Sequence, residues 1–324
     1  YLSSPKAREV LASFRYYHIY PDPLQRNLRA ALSGYTGFPA SNIACGNGSD
    51  ELIDLVLRLF LNEGDEVLNF PPTFGMYPFV VTVCGGKLID VPRRNDFSID
   101  LQCATDTIGP RTRVVFIASP NNPTGGVVSR DEVQALLDLG LVVVVDEAYY
   151  EFSGQSLLDM VPLNPSLLVL RTFSKWAGLA GLRVGYCICH EELVGHFLKI
   201  KQPYNVNVAG EAAAIASLQD AAYLLQNVEK LKTERDRMIR EFARIPWIHP
   251  VPSEANFVLC RVDEKSQDVD VTTARRVRDA LRRRGILVRF YESPGLRDCL
   301  RISAGRPEDT DALLEALEEV WHEV

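Results

Sequence analysis

Apolar and polar positions follow two different rhythms along this chain. Behind Ser49, Asp50 and Glu51, the residues Leu52, Leu55, Val56, Leu59 and Phe60 recur at i, i+3, i+4, i+7 and i+8. That spacing lays them along one stripe and predicts a helix with a buried face. Elsewhere the apolar positions form short runs rich in Val, Ile and Leu, at 65–70, 113–118, 141–145, 167–173 and 184–189. Such runs, bounded by Gly, Pro or polar residues, predict strands covered on both faces. Between two of them, Ser129-Arg130-Asp131-Glu132 has the form of a capping box, and Val133, Leu136, Leu137 and Leu139 follow before Gly140. A further helix is expected there.

Strands alternating with helices at this spacing predict an α/β fold, a mainly parallel sheet sandwiched by helices. The texture changes after a charged helix expected over 223–244. Beyond it, 255–262, 286–290 and 299–303 read as strands, with helices near 271–284 and 308–324. The chain is therefore expected to divide into a large domain over 20–230 and a smaller α+β domain formed by its two ends, 1–19 and 231–324.

Composition narrows the class. The 324 residues are 47% hydrophobic and 24% charged, as in ordinary globular proteins. A net charge of −7, without basic clusters interleaved with aromatics, argues against a nucleic-acid partner. No apolar run approaches the ~20 residues of a membrane span. The seven cysteines are odd in number and show neither a CxxC pair nor a spaced Cys/His quartet. No metal site is expected, and a reducing, cytoplasmic setting suits them. Cys187 and Cys189 share one face of a strand and read as small buried apolar residues. The chain opens on Tyr1 rather than Met, so a preceding segment is expected.

Four segments carry candidate chemistry. Thr172-Phe173-Ser174-Lys175 follows an apolar run and precedes Gly178, Gly181, Arg183 and Gly185. A lysine there offers an amine able to form an imine with an aldehyde, while the hydroxyls and the guanidinium suit a phosphate. Asp146 ends the run 141–145, at the strand terminus where open α/β sheets bind ligands, and can pair with a protonated pyridine nitrogen. Ser119-Pro120-Asn121-Asn122-Pro123-Thr124-Gly125 is a rigid turn after another strand. Gly46-Asn47-Gly48-Ser49-Asp50 leads into a helix N-terminus, which favours anions. Each also has a plainer reading: Lys175 as a solvated charge, Asp146 as a helix cap, the turn as a connector.

Taken together and in order, the segments GNGSDELI (46–53), PPTFGMY (71–77), SPNNPTG (119–125), VVDEAYYEF (144–152), RTFSKWAGLAGLRVGY (171–186), PYNVN (203–207), PSEANFVL (252–259) and CLRISAG (299–305) resemble the histidinol-phosphate aminotransferases. These belong to the aspartate-aminotransferase-like, fold-type I enzymes that use pyridoxal 5′-phosphate. The resemblance runs from Ser4-Pro5-Lys6-Ala7 to the last helix. It implies a seven-stranded, mainly parallel sheet, pyridoxal phosphate as cofactor, and a homodimer with shared active sites.

Residue by residue, the resemblance implies that Lys175 holds the cofactor as a Schiff base and then shuttles a proton. Asp146 would pair with the ring nitrogen, Tyr149 and Asn122 would bond the ring's 3-oxygen, and Phe74 would stack on the ring. Phe74 departs from the tyrosine usual in the family, which keeps stacking and loses a hydroxyl. Ser49, Asp50, Thr172, Ser174 and Arg183 would surround the phosphate, with Tyr20 reaching in from a partner subunit. Arg301, helped by Arg289, would grip the anionic group of substrate, with Asn122 and Tyr20 beside it. The family's Asn-Glu-Asn-Pro segment, part of the active-site lid, would lie just ahead of Tyr1.

The implied reaction is amino transfer between histidinol phosphate and 2-oxoglutarate or glutamate, in histidine biosynthesis. An aromatic amino-acid aminotransferase and a threonine-phosphate decarboxylase share this fold and stay open alternatives. So does a pyridoxal-phosphate-sensing domain of a transcription regulator.

Overall fold

The computed structural model describes residues 1–265 and 272–323. The first helices are α1 (Pro5–Ser13) and α2 (Arg26–Thr36), followed by β1 (Ile43–Gly46), α3 (Ser49–Phe60) and β2 (Glu66–Asn69). Then come α4 (Met76–Val83), β3 (Lys87–Asp90), α5 (Leu101–Thr107), β4 (Thr112–Ala118), α6 (Arg130–Asp138), β5 (Val142–Asp146) and α7 (Tyr150–Ser153). β6 (Leu167–Thr172), β7 (Gly185–Ile188), α8 (Glu191–Ile200), α9 (Val208–Gln219) and the long α10 (Ala221–Phe242) complete the larger part. The C-terminal part holds β8 (Ile248–Pro250), β9 (Phe257–Val262), α11 (Thr273–Arg283), β10 (Arg289–Phe290), β11 (Cys299–Ser303) and α12 (Pro307–Val320).

The larger sheet has seven strands in the order β1-β7-β6-β5-β4-β2-β3. All run parallel except β7, which is antiparallel to both of its neighbours. The valine run explains why this sheet is covered on both sides. Val143 and Val145 enter one apolar core and Val144 enters the core on the opposite face. Each such side chain, wholly buried, contributes roughly 1.5–3 kcal/mol. The capping box of α6 forms as the sequence predicts, with Glu132 N donating to Ser129 Oγ at 3.2 Å and Ser129 N to the Glu132 carboxylate at 2.7 Å.

The second sheet is antiparallel, in the order β10-β11-β9-β8. Its core takes Met238 and Phe242 from the end of α10, with Val277 and Leu281 of α11 and Leu313 and Leu317 of α12. The face of β9 that carries Phe257 joins the core of the larger sheet. That contact sets the second sheet against the cleft at the strand ends.

Several local expectations change. β1 and β3, the two edge strands of the larger sheet, are strands that the apolar pattern missed: β1 is Ile43-Ala44-Cys45-Gly46, and β3 carries only Leu88 and Ile89 between the exposed Lys87 and Asp90. The strand expected over 286–290 shortens to Arg289–Phe290. The helix expected from Val271 begins at Thr273; Val271 itself and Val324 lie outside the described residues. Within residues 1–19, α1 packs against α9, with Ala7 inside the core of the larger sheet. A small side chain at Ala7 is what permits that close seating.

Candidate active site

A cavity of about 210 Å³ opens at the carboxyl ends of β4, β5 and β6. Every cofactor residue inferred from the resemblance lines it except Tyr20. Parallel strands bring their last residues to one edge, and the helices that follow leave a crevice there.

Asp146 is the last residue of β5 and is 4% exposed. Its Oδ2 accepts a hydrogen bond from the Tyr77 hydroxyl at 2.9 Å, and its Oδ1 accepts one from Ala148 N at 3.1 Å. Burial pushes its carboxyl up to about 6, against the pull of those two donors and of the Lys175 ammonium. Asp146 forms no ion pair among the described residues. Lys175 lies in the turn after β6, its Nζ 5.3 Å from the centre of the Tyr149 ring. Burial, then the Arg301 guanidinium, hold its amine below the usual lysine range, which favours the neutral nucleophile. Burial also raises Tyr149 to about 12. Tyr149 packs edge-on against Phe257 of β9, with ring centres 5.2 Å apart.

The other end of the cavity is built for an anion. α3 begins at Ser49 with no side-chain cap on its amides, and Thr172, Ser174 and Arg183 stand opposite. Thr172 Oγ1 donates to Ser174 Oγ at 2.9 Å, and Arg183 Nη2 pairs with Asp50 Oδ2 at 2.6 Å. Two glycines permit this approach. A Cβ on Gly185 would lie 2.5 Å from Ser49 N, and one on Gly48, whose φ is +79°, would lie 2.5 Å from Arg183 Nη2.

Arg301 enters from β11, and its Nη1 donates to Asn122 Oδ1, leaving the Asn122 amide N–H groups for a ligand. The guanidinium lies 4.9 Å from the ring centre of Phe257, and its buried Nε has no partner among the described residues. Arg289 is exposed and sits directly opposite Arg301 in the β10–β11 register, so the two side chains share a face. Tyr20 is 76% exposed and stacks on Tyr204 at 4.5 Å, away from the cavity of its own chain. Tyr77 is the residue that sequence reasoning missed. Its only signal is its place three residues after Phe74, and nothing in that spacing announces a bond to Asp146.

These residues fit pyridoxal phosphate. A buried carboxylate without a cationic partner suits a protonated ring nitrogen, a depressed lysine suits an aldehyde, and bare helix amides beside two hydroxyls and a guanidinium suit a phosphate.

Comparison with known proteins identifies the family. Residues 3–317 match the family model described as aminotransferase class I and II. The chain is 47% identical, over 320 residues, to a histidinol-phosphate aminotransferase of Dehalococcoides mccartyi strain CBDB1, covering 99% of this chain and 87% of that protein. It is 48% identical over 326 residues to one from Roseiflexus castenholzii, with the same coverage. Among solved structures, the histidinol-phosphate aminotransferase of Sinorhizobium meliloti in complex with pyridoxal 5′-phosphate superposes with a TM-score of 0.89 at 29% identity. That match covers 99% of this chain and 88% of the other.

Proposed function

Because the chain belongs to the class I and II aminotransferases, we propose that it is a pyridoxal-phosphate-dependent enzyme moving an amino group between histidinol phosphate and 2-oxoglutarate. The observation that carries this reading is one cavity lined by both an amine, Lys175, and a buried carboxylate that forms no ion pair among the described residues, Asp146. The cofactor, when bound, supplies an aldehyde and an electron-accepting ring.

This chain's own residues would do the rest. Asp146 holds the ring nitrogen protonated, and Tyr149 with Asn122 orients the ring oxygen. Phe74 covers one face of the ring and excludes water. Ser49, Asp50, Thr172, Ser174 and Arg183 anchor the phosphate end. Lys175 Nζ, its amine held below the usual lysine range by burial, moves the proton released at the carbon that bears the amino group.

Arg301, with Arg289 across the strand pair, grips the anionic end of substrate. A planar guanidinium accepts the α-carboxylate of glutamate and the phosphate of histidinol phosphate with the same two N–H groups. Its Nε, which has no partner among the described residues, supports that role. Residues 1–19 and 231–324, the latter holding the second sheet, form a small domain that closes on the cleft against the larger 20–230 domain.

No helix among the described residues is long and apolar enough to cross a membrane. A cytoplasmic setting belongs to the same reading, supported by seven cysteines that are all free. A homodimer with shared active sites is also part of it. Tyr16, Tyr17, Ile19, Tyr20 and Tyr204 are exposed apolar side chains near one another in the chain or stacked, as a subunit contact would use.

Turnover with 2-oxoglutarate should be fastest for histidinol phosphate when compared with phenylalanine and threonine phosphate. A preference for either of the others, or a wild-type protein that takes up no cofactor, would overturn the reading.

A further inference from the structure

We infer that Tyr77 is the positioning residue for Asp146: its phenolic O–H aims and holds the carboxylate that faces the cofactor's ring nitrogen. The inference rests on the cofactor reading above and extends it to a residue outside the cavity wall. Tyr77 is wholly buried, and its hydroxyl donates to Asp146 Oδ2 at 2.9 Å. A hydroxyl buried this deeply costs stability unless it is bonded, so a side chain needed for packing alone would be better served by Phe.

The ring of Tyr77 is set independently of that hydrogen bond. It stacks on Phe116 of β4 at 4.8 Å with planes 11° apart, and meets Phe74 edge-on at 5.6 Å. Tyr77 N also donates to Phe74 O at 3.2 Å. The same turn entering α4 therefore supplies the aromatic wall of the cavity, through Phe74, and the donor behind Asp146, through Tyr77.

The charges facing Asp146 are few. Asp50 from α3 disfavours its ionised form, and Lys175 from the turn after β6 favours it. Tyr149 faces it from its own segment, and Arg93 faces Tyr77 from the loop after β3. Ala148 N is the other direct donor, and it is bound to occur because it lies two residues on. Tyr77 is therefore the donor that tertiary structure alone contributes. Its hydrogen bond favours the charged carboxylate, so removing it moves the Asp146 titration upward.

Y77F keeps the stacked ring, and the protein should fold with little change in thermal midpoint. In the apoprotein, the carboxyl band of Asp146, identified by its loss in D146N, should titrate in difference infrared spectra about one pH unit higher in Y77F. Pyridoxal phosphate should dissociate about ten-fold faster from Y77F than from wild type. Y77F/D146N should release it no faster than D146N, because a residue acting through Asp146 has nothing left to act on. An unmoved carboxyl midpoint, or losses that simply multiply in the double variant, would overturn the role of Tyr77 while leaving the enzyme reading intact. A wild type unable to take up the cofactor would instead bring down the enzyme reading and this inference with it.

Discussion

Asp146 and Glu147 are adjacent carboxylates, both almost wholly buried, at the end of β5. Glu147 is fully provided for. Arg171 Nε and Nη2 donate to its Oε2 at 2.9 and 2.8 Å, Ser156 donates from its hydroxyl, and Leu157 N donates at 2.7 Å. Arg171 is in turn covered by the Tyr150 ring at 3.5 Å. Asp146 has two neutral donors and no ion-pair partner among the described residues, and burial pushes its carboxyl up to about 6. The difference separates a group that completes the fold from one that waits for a ligand. Burial alone does not distinguish them; an unanswered charge does.

The contrast predicts that changes on the cavity side remove function and spare stability, and that changes beneath it do the reverse. The largest effect belongs to Lys175→Ala, which should cost on the order of 10⁴-fold in turnover and abolish the visible absorbance of the loaded protein. A variant that stays coloured and active would break the comparison at its first point.

Glu147→Gln should come next, lowering the unfolding free energy by roughly 3–5 kcal/mol because it leaves Arg171 buried and short of its ion-pair partner. The readout is a urea midpoint, with turnover of the remaining folded protein changed less than about ten-fold.

Asp146→Asn should stabilise the apoprotein. The folded carboxyl titrates near 6 against an ordinary value of 3.8, so the fold binds this proton more tightly than the unfolded chain does. Apoprotein stability therefore falls as pH rises from 3.8 to about 6 and stays lowered above it, by about 3 kcal/mol. The Asn variant should lose that dependence in a comparison of thermal midpoints at pH 5 and pH 7, and should lose turnover as well. Phe74→Tyr closes the series with the smallest effect. Its edge contact with Tyr77 survives, so stability should move by less than about 1 kcal/mol, while any change in cofactor off-rate measures what the missing hydroxyl is worth.

Much of the fold and of the site is legible in the amino-acid sequence. The β5 run of valines and the capping box of α6 are local patterns, and local patterns survive into the fold because backbone hydrogen bonding and side-chain periodicity act over a few residues. The positions of Lys175 and Asp146 at strand ends follow from the same periodicity. The four-residue strands β1 and β3, the reversed direction of β7 and the seating of α1 on α9 do not, since each depends on what a distant segment offers.

The amino acids by themselves determined most of the helices and the central strands, and which segments carry an amine, an acid or a bare helix N-terminus, because those properties belong to single residues and their near neighbours. Only the folded chain decided that Tyr77 would donate to Asp146 across 69 positions, that Arg301 would reach Asn122 across 179, and that Arg171 would answer Glu147 and leave its neighbour without an ion-pair partner among the described residues. Charge compensation in a buried setting is settled by whichever group long-range packing brings within about 3 Å, and no spacing along the chain encodes it.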